Sequence, residues 1–184
     1  MEHFYEGIQG SFTWARLIDA WVAAAKHNEH WVEIGAWKGR STAYWAVAIA
    51  NSKKNITLSV VDMWEDAWHL RHAQPDPYEP ATQAEFQANL APVLKSLDIL
   101  RGCSPDMART FKDGSLDLVW IDADHSYEAV KLDIASWLPK VKAGGIIAGH
   151  DYTPHYPGVM QAVQEAFPGR VQAPQDTQSW VVQL

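Results

Sequence analysis

Short apolar runs alternate along the chain with stretches whose apolar residues follow helical spacing. The apolar runs predict buried strands at residues 30–35, 56–62, 97–101, 116–122 and 144–150. The spacing between them predicts helices at residues 12–27, 41–50, 83–94, 105–111, 126–138 and 159–167. Because the strands are apolar throughout rather than alternating, they predict an α/β fold with a mostly parallel sheet covered by helices on both faces.

The tail, residues 170–184, has no helical pattern. A turn-rich stretch, APQDTQ, separates its beginning from a final apolar run, SWVVQL. This pattern predicts two short strands that form an antiparallel hairpin at the edge of the sheet. With 184 residues, we expect residues 1–184 to form a single domain.

One segment, residues 63–82, departs from the alternation. Its twenty residues include three prolines, two histidines and three aromatic residues. Loops of this length are uncommon in compact domains and are often functional. We expect either a lid or acceptor-facing loop, or a surface excursion without function.

Composition excludes several classes of partner. The formal net charge of −7 argues against nucleic acid, which usually requires a basic face. Cys103 is the single cysteine, so there is no internal disulfide, in keeping with a reducing compartment. No apolar run approaches the length of about 18 residues that crosses a membrane, and the first ten residues are too polar for a signal peptide. We expect a soluble, cytoplasmic protein without a membrane partner.

The first candidate motif is VEIGAWKGRST, residues 32–42. Gly35 and Gly39 flank a loop that ends at a helix start near Ser41, where backbone N–H groups can meet a ligand. Trp37 interrupts the glycine pattern typical of phosphate loops, and Glu33 repels phosphate but suits a cationic group. The alternative is a tight strand-to-helix turn capped by Ser41.

The second candidate residue, Asp62, ends the second predicted strand 23 residues after Gly39. An acidic residue at about this spacing can accept hydrogen bonds from both hydroxyls of a ribose. A helix cap or a solvated carboxylate is the alternative. Together with the first motif, this residue favours a nucleoside ligand.

The third group of polar residues follows the fourth and fifth predicted strands. Asp122 and Asp124 come after one, and His150 and Asp151 after the other. Neighbouring parallel strands bring such residues to one rim of the sheet, where the carboxylates repel one another unless a cation or protons intervene. Asp124 or Ser126 could instead only cap the following helix.

Taken together, VEIGAWKGRST, VVDMWED, IDADHSYE and GGIIAGHDY resemble the class I S-adenosylmethionine-dependent methyltransferases of the small-molecule O-methyltransferase type. The resemblance covers roughly residues 31–167. It implies a Rossmann-like, doubly wound sheet of seven strands whose last strand is antiparallel.

The resemblance also assigns roles to residues. The cofactor, S-adenosylmethionine, is expected to contact Glu33, Gly35, Gly39, Ser41, Asp62, Met63, Trp64, Cys103, Ser104 and Asp122. Asp122, His150 and Asp151 are the expected ligands of Mg²⁺ or another divalent metal, and Asp124, His125 and His150 the expected catalytic residues. The family has an acidic or amide pair where this chain has His150–Asp151. Since histidine suits transition metals better than Mg²⁺, a metal-free enzyme with His125 or His150 as the base stays open.

The implied activity is methyl transfer to a hydroxyl of a small-molecule acceptor, with a homodimer as a possible assembly. Three alternatives compete with it. A metal-dependent glycosyltransferase is one, because D-A-D also fits the D-x-D pattern that holds a metal and a nucleotide diphosphate. A non-catalytic nucleoside-binding module is another. A nicotinamide oxidoreductase is disfavoured by the broken glycine pattern.

Overall fold

The computed structural model describes residues 1–64 and 81–184. Most of the predicted lid or acceptor-facing loop, residues 65–80, lies outside the described residues. Six strands occur within the described part: β1 (His30–Ile34), β2 (Thr57–Asp62), β3 (Leu97–Arg101), β4 (Leu116–Ile121), β5 (Val141–Gly149) and β6 (Trp180–Gln183). The α-helices there are α1 (Ala15–Ala24), α2 (Arg40–Ser52), α3 (Gln83–Asn89), α4 (Ser104–Ala108), α5 (Tyr127–Trp137) and α6 (Pro157–Ala166).

The six strands form one sheet in the order β3-β2-β1-β4-β5-β6. All neighbours are parallel except β6, which runs antiparallel to β5. In register, Ile34 of β1 lies between Val61 and Ile121, and Ile121 lies beside Gly149. The carboxyl ends of β1, β2, β4 and β5 therefore share one rim. The predicted doubly wound α/β architecture is confirmed.

The expected seventh strand is absent from the described residues, and that prediction was wrong. The hairpin predicted for the tail is reduced to an isolated bridge between Gln172 and Val181. Between them the backbone turns through Asp176 and Gln178, both at positive φ, which extended strands do not adopt. The final strand β6 instead pairs with β5 along four residues.

Apolar side chains fill both faces of the sheet. On the face covered by α1 and α2, four fully buried tryptophans dominate: Trp14, Trp31, Trp45 and Trp120. The opposite face, covered by α5 and α6, contains buried Trp137 and Trp180. Each aromatic side chain buries roughly 150–250 Å² of surface, so these tryptophans contribute strongly to the packing of the helices against the sheet.

In the part of the chain that the structure describes, two α-helices begin with a side-chain cap. Thr82 accepts a hydrogen bond from the Glu85 N–H at 3.0 Å at the start of α3, and Ser126 accepts one from the Ala129 N–H at 3.4 Å at the start of α5. The second of these was one alternative for Ser126 from the sequence. By contrast α2 begins after Gly39, without a side-chain cap. The alternative from the sequence, in which Ser41 caps this helix, was wrong, because Ser41 lies inside the helix.

Candidate active site

A cavity of about 460 Å³ opens at the carboxyl ends of the strands, where open α/β sheets bind ligands. Most of the residues expected from the sequence line it: Gly35, Ser41, Asp62, Met63, Trp64, Ser104, Asp122, Asp124, His125, His150 and Asp151. Glu33, Gly39 and Cys103 are not among the lining residues. The topology thus brings most of the expected cofactor residues, and all of the expected metal-binding and catalytic residues, to one cavity.

Glu33 faces α2 instead of the cavity. Its carboxylate is fully buried and accepts hydrogen bonds from the Ser41 hydroxyl at 2.5 Å and the Thr42 hydroxyl at 2.6 Å. Burial raises the pKa of Glu33 to about 7, against the pull of these two hydroxyls. In this structure Glu33 attaches the start of α2 to β1, and its expected contact with the cofactor stays a prediction.

The two motif glycines are required by packing within the protein. A β-carbon on Gly35, whose φ is +84°, would lie 2.1 Å from the carbonyl oxygen of Asp122. A β-carbon on Gly39, at φ +89°, would lie 3.0 Å from the ring of Phe86. The close approach of β1 and β4 thus explains Gly35, which also lines the cavity, and the contact with α3 explains Gly39.

Asp62 accepts hydrogen bonds from the backbone of two loops that line the cavity, the loop after β1 and the loop after β2. Its Oδ2 accepts hydrogen bonds from the N–H groups of Ala36 at 2.7 Å and Trp37 at 2.8 Å, and its Oδ1 accepts one from the N–H of Trp64 at 2.7 Å. Burial raises the pKa of Asp62, while these backbone donors lower it. The carboxylate is therefore fixed at the cavity wall at the end of β2.

Two tryptophans line the cavity with strained backbones. Trp37 has φ 47° and Trp64 has φ 45°, a left-handed conformation that costs a bulky residue on the order of 1–3 kcal/mol and that clusters at functional sites. The indole N–H of Trp64 donates to the carbonyl of Trp37 at 3.0 Å, so the two loops are linked directly. Asp151, across the rim, also has a positive φ of 58°.

After the carboxyl ends of β4 and β5 lies a cluster formed by Asp122, His125, His150 and Asp151, here called the Asp–His cluster. Nε2 of His125 lies 2.8 Å from Oδ2 of Asp151, and Nδ1 of His150 lies 3.2 Å from Oδ1 of Asp151. Nδ1 of His150 is also 3.7 Å from Oδ1 of Asp122. Asp122, His125 and Asp151 each offer a potential ligand atom, and these atoms all lie within 4.8 Å of one another. His125 belongs to this group although the sequence did not mark it as a metal ligand, and the assignment of His150 as a ligand stays a prediction.

The charges within the Asp–His cluster balance. Burial raises the pKa of Asp122 to about 6, against the pull of the His150 charge. Burial would also raise the pKa of Asp151, but hydrogen bonds from both histidines hold it well below its usual range. Burial opposes protonation of His125 and His150, yet their contacts with Asp151 raise the pKa of each. Two imidazolium groups can therefore compensate the carboxylates.

Asp124 lies beside this cluster and is held differently. Its Oδ1 accepts a hydrogen bond from the Ser126 N–H at 2.7 Å, so it contributes to the start of α5 as the sequence alternative anticipated. It also lines the cavity. Both interpretations of Asp124, a structural one and a chemical one, are compatible with its position.

Ser104 lines the cavity at the end of β3, but its hydroxyl already has partners. It donates to Oδ1 of Asp133 at 2.6 Å and accepts from the indole N–H of Trp137 at 2.9 Å. Asp133 is buried. Because the hydroxyl proton is used within the protein, Ser104 can meet a ligand only through its backbone or its remaining acceptor capacity.

Several lining residues were not singled out from the sequence as site residues. Trp14 was interpreted only as an apolar helix position, yet its ring lies 4.3 Å from that of His150. Tyr156, after β5, stacks against His125 with ring centroids 4.5 Å apart. Arg40 and Gln178 also line the cavity. Trp14, Tyr156 and Gln178 lie outside every quoted motif, and Arg40, although it lies within the first motif, was not assigned a role there.

Within residues 1–64 and 81–184, no helix has the length and apolar character needed to cross a membrane.

Comparison with known proteins identifies the class. Residues 32–152 match the family model described as a methyltransferase domain. The chain belongs to this family, and the methyltransferase prediction is confirmed. A curated relative, the protein named "Uncharacterized protein y4gI" of Sinorhizobium fredii, is 24% identical over 131 residues. The match covers 71% of this chain and 14% of the relative, so the chain spans only a small part of that protein's length.

Solved structures share the fold. The O-methyltransferase NovP superposes with a TM-score of 0.72 at 19% identity, over 92% of this chain and 78% of that one. CalS11, a TDP-rhamnose 3'-O-methyltransferase, gives a TM-score of 0.63 at 12% identity, over 92% of this chain and 76% of that one. An S-adenosylmethionine-dependent O-methyltransferase from Thermotoga maritima gives 0.60 at 14% identity, over 86% of this chain and 51% of that one.

Proposed function

We propose that this protein is an S-adenosylmethionine-dependent methyltransferase that acts on a hydroxyl of a small-molecule acceptor. One observation carries the proposal: Gly35, Asp62 and Trp64, which are expected to bind the cofactor, line the same cavity as the Asp–His cluster. Its volume, about 460 Å³, falls in the range of roughly 300–1,000 Å³ that is usual for ligand sites.

The cofactor would lie along the ends of β1, β2 and β3. Asp62 would accept hydrogen bonds from the ribose hydroxyls, as acidic residues at this position of such folds do. The adenine would lie near Gly102 and Ser104, which line the cavity after β3. The methionine end would then extend past Gly35 toward Asp122.

The acceptor would enter at the end lined by the Asp–His cluster. The cofactor would supply the methyl group: as the acceptor oxygen forms its bond to the methyl carbon in line, the methyl–sulfur bond would break and the sulfonium would leave as a neutral thioether. The protein therefore mainly has to align the two reactants and exclude water. Trp14 and Tyr156, which contact the two histidines, would form walls of this acceptor region.

A proton must leave the acceptor hydroxyl. Asp124 is our first candidate for the base, because it lines the cavity and its carboxylate accepts a hydrogen bond from a backbone N–H rather than contacting an imidazole. His125 is the second candidate. The buried His150 is assigned a positioning role, since both of its ring nitrogens have protein partners.

The residues of the Asp–His cluster fit a divalent metal in their chemistry. Asp122, His125 and Asp151 offer two carboxylate oxygens and an imidazole nitrogen within 4.8 Å of one another. When bound, such an ion would act as a Lewis acid that lowers the pKa of the acceptor hydroxyl.

The test begins with calorimetric titration of S-adenosylmethionine and continues with transfer of a labelled methyl group to a panel of hydroxyl acceptors. We expect Asp62→Ala to weaken cofactor binding by at least about tenfold, because several backbone donors lose their acceptor and the ribose loses its own. Asp122→Asn should keep cofactor binding and lower turnover by about 10²-fold or more. Asp106→Asn, which removes an exposed ion pair with Arg109, is the matched control and should change neither.

The outcomes separate the alternatives. Absence of cofactor binding would refute the proposal. Tight cofactor binding without transfer to any acceptor class would favour the non-catalytic nucleoside-binding module. The glycosyltransferase and oxidoreductase alternatives are not favoured, since the family match spans residues 32–152.

A further inference from the structure

Among the lining residues that the structure describes, Arg40 is the one arginine or lysine of the cavity. Four carboxylates line the same cavity: Asp62, Asp122, Asp124 and Asp151. These carboxylates contact histidines or backbone N–H groups, and within residues 1–64 and 81–184 none of them pairs with Arg40. The cavity therefore contains a permanent positive charge that the carboxylates of the protein do not neutralise.

The contacts of Arg40 within the protein use only part of its guanidinium. Its Nη1 donates to the carbonyl oxygen of Ile8 at 2.9 Å, and the guanidinium lies 5.6 Å from the centre of the Tyr5 ring. Its Nε is buried and has no hydrogen-bond partner among the described residues. Because a guanidinium offers five N–H donors and an unpaired buried donor is destabilising, the protein leaves Arg40 with donors for a ligand.

The position of Arg40 places these donors beside the expected cofactor residues. Arg40 is the first residue of α2, a few residues after Gly35, and the first turn of this helix has neither a side-chain cap nor an acidic residue. The free N–H groups at the start of a helix favour negative charge, so they act in the same direction as the guanidinium. This part of the cavity wall therefore suits an anion.

The other cation of the first motif is already occupied. The amine of Lys38 lies 2.9 Å from the carboxylate of Glu85 and donates to Oε1 of Gln9 at 3.0 Å, and Lys38 is not among the residues that line the cavity. S-adenosylmethionine carries a carboxylate at its methionine end, together with an ammonium group and the sulfonium. Carboxylates such as that of Asp122 suit the two cations, which leaves the ligand's carboxylate for Arg40.

We propose that Arg40 binds the carboxylate of the methionine end of S-adenosylmethionine and makes this carboxylate a requirement for tight binding. The inference rests on the proposed function, because it concerns the same cavity and ligand. A guanidinium could also bind a carboxylate of the acceptor, so the experiment has to separate these two sources.

The experiment is calorimetric titration of wild-type protein and Arg40→Gln with S-adenosylmethionine and with decarboxylated S-adenosylmethionine, which keeps the nucleoside, the sulfonium and the amine. We expect the wild type to bind S-adenosylmethionine about 10- to 100-fold more tightly than the decarboxylated form, as a hydrogen bond between charged groups predicts. In Arg40→Gln the affinity for S-adenosylmethionine should fall by this factor, so that the preference disappears. Arg16→Gln makes the same change at an exposed position of α1 and should alter neither affinity.

Two further variants separate charge from structure. Tyr5→Leu removes the ring beside the guanidinium but keeps the charge, so the preference for S-adenosylmethionine should stay within about threefold of the wild-type value. Arg40→Lys keeps the charge without the planar guanidinium and should retain part of the preference. Circular dichroism shows whether each variant is folded, and Arg40→Lys provides the comparison where Arg40→Gln does not fold.

Three results would overturn the inference: equal wild-type affinity for the two ligands, an unchanged preference in Arg40→Gln, or equal weakening of both ligands in that variant, which would make Arg40 a support of the N-terminal segment. Unchanged affinity for both ligands, with transfer to hydroxy acids slowed more than transfer to their amides, would assign the guanidinium to an acceptor carboxylate and would overturn it too. A wild-type protein that binds neither ligand would refute the proposed function as well, whereas each of the other results refutes the role of Arg40 alone.

Discussion

Replacement of Glu33 by glutamine should stabilise the protein at alkaline pH. Glu33 is fully buried, and its carboxylate accepts hydrogen bonds from two hydroxyls, those of Ser41 and Thr42. Among the described residues no lysine or arginine forms an ion pair with Glu33, so a charge on its carboxylate is costly in this place. Glutamine has nearly the same shape, and the two hydroxyls can rotate to suit an amide.

The magnitude and its sign follow from the pKa of Glu33. Burial raises this pKa from 4.5 to about 7, a difference that corresponds to roughly 3 kcal/mol at about 1.4 kcal/mol per pKa unit. Because the folded state keeps the proton where the unfolded state has lost it, the free energy of unfolding falls as the pH rises from 4.5 to about 7 and stays low above. Glu33→Gln should therefore gain about 1–3 kcal/mol at pH 8 and little at pH 4.5.

The assay is urea unfolding followed by tryptophan fluorescence, for which the ten tryptophans provide signal, at pH values on both sides of this window. Glu6→Gln, at an exposed position, should change stability by less than about 0.5 kcal/mol at either pH. A Glu33→Gln protein that is less stable than wild type at pH 8 would refute the reasoning. So would equal differences at both pH values. Loss of S-adenosylmethionine affinity by tenfold or more with unchanged stability would instead restore the cofactor contact implied by the family resemblance.

Three further predictions concern the packing around the cavity. Gly35→Ala should lower the free energy of unfolding by more than about 4 kcal/mol or prevent folding. Gly114 also has a positive φ, +63°, but no atom lies within 4 Å of an added β-carbon, so Gly114→Ala should lower it by only about 1 kcal/mol. Equal losses of stability in thermal denaturation would contradict the close approach of β1 and β4. Asp133→Asn should lower the free energy of unfolding by about 1.5–3 kcal/mol, because it weakens the charge-assisted hydrogen bond from Ser104. An unchanged free energy of unfolding in urea would show that this bond contributes nothing to stability. Ser126→Ala should cost about 0.5–1 kcal/mol as a lost helix cap, with Ser126→Asp restoring it in the same measurement.

The rim of the cavity could be predicted from the sequence because it depends on short-range patterns. Buried parallel strands are nearly continuous apolar runs, and the run predicted at residues 116–122 contains the largely buried strand β4 (Leu116–Ile121). Once the strands are known, any polar residue directly after a strand falls on the same rim. This reasoning located Asp62, Asp122 and Asp151 without any knowledge of long-range contacts.

The partners of the side chains could not be predicted in this way. The contacts that hold His150 join residues 137 positions apart, and the Thr13–Thr177 bond joins residues 164 apart. Similarly, alternation along β1 places Glu33 on the opposite face from Ile34, but the sequence does not show that two hydroxyls of α2 meet it there. The seventh strand, which is absent from residues 1–64 and 81–184, has the same origin, because turns within the tail decide its pairing.

Asp62 illustrates how a predicted ligand residue can also be structural. Its carboxylate fixes the N–H groups of Trp37 and Trp64, two residues whose left-handed backbones each cost on the order of 1–3 kcal/mol. Its loss would therefore release both loops as well as remove the acceptor for a ribose, and the effect of Asp62→Ala on cofactor affinity would combine the two. Asp62→Asn separates the two effects. The side-chain oxygen of asparagine can still accept a hydrogen bond from one loop, whereas its NH₂ group cannot accept one from a ribose hydroxyl. If Asn preserves thermal stability far better than Ala but binds S-adenosylmethionine no better, the carboxylate contacts the cofactor directly; if stability and affinity recover together, Asp62 acts through the loops that it holds.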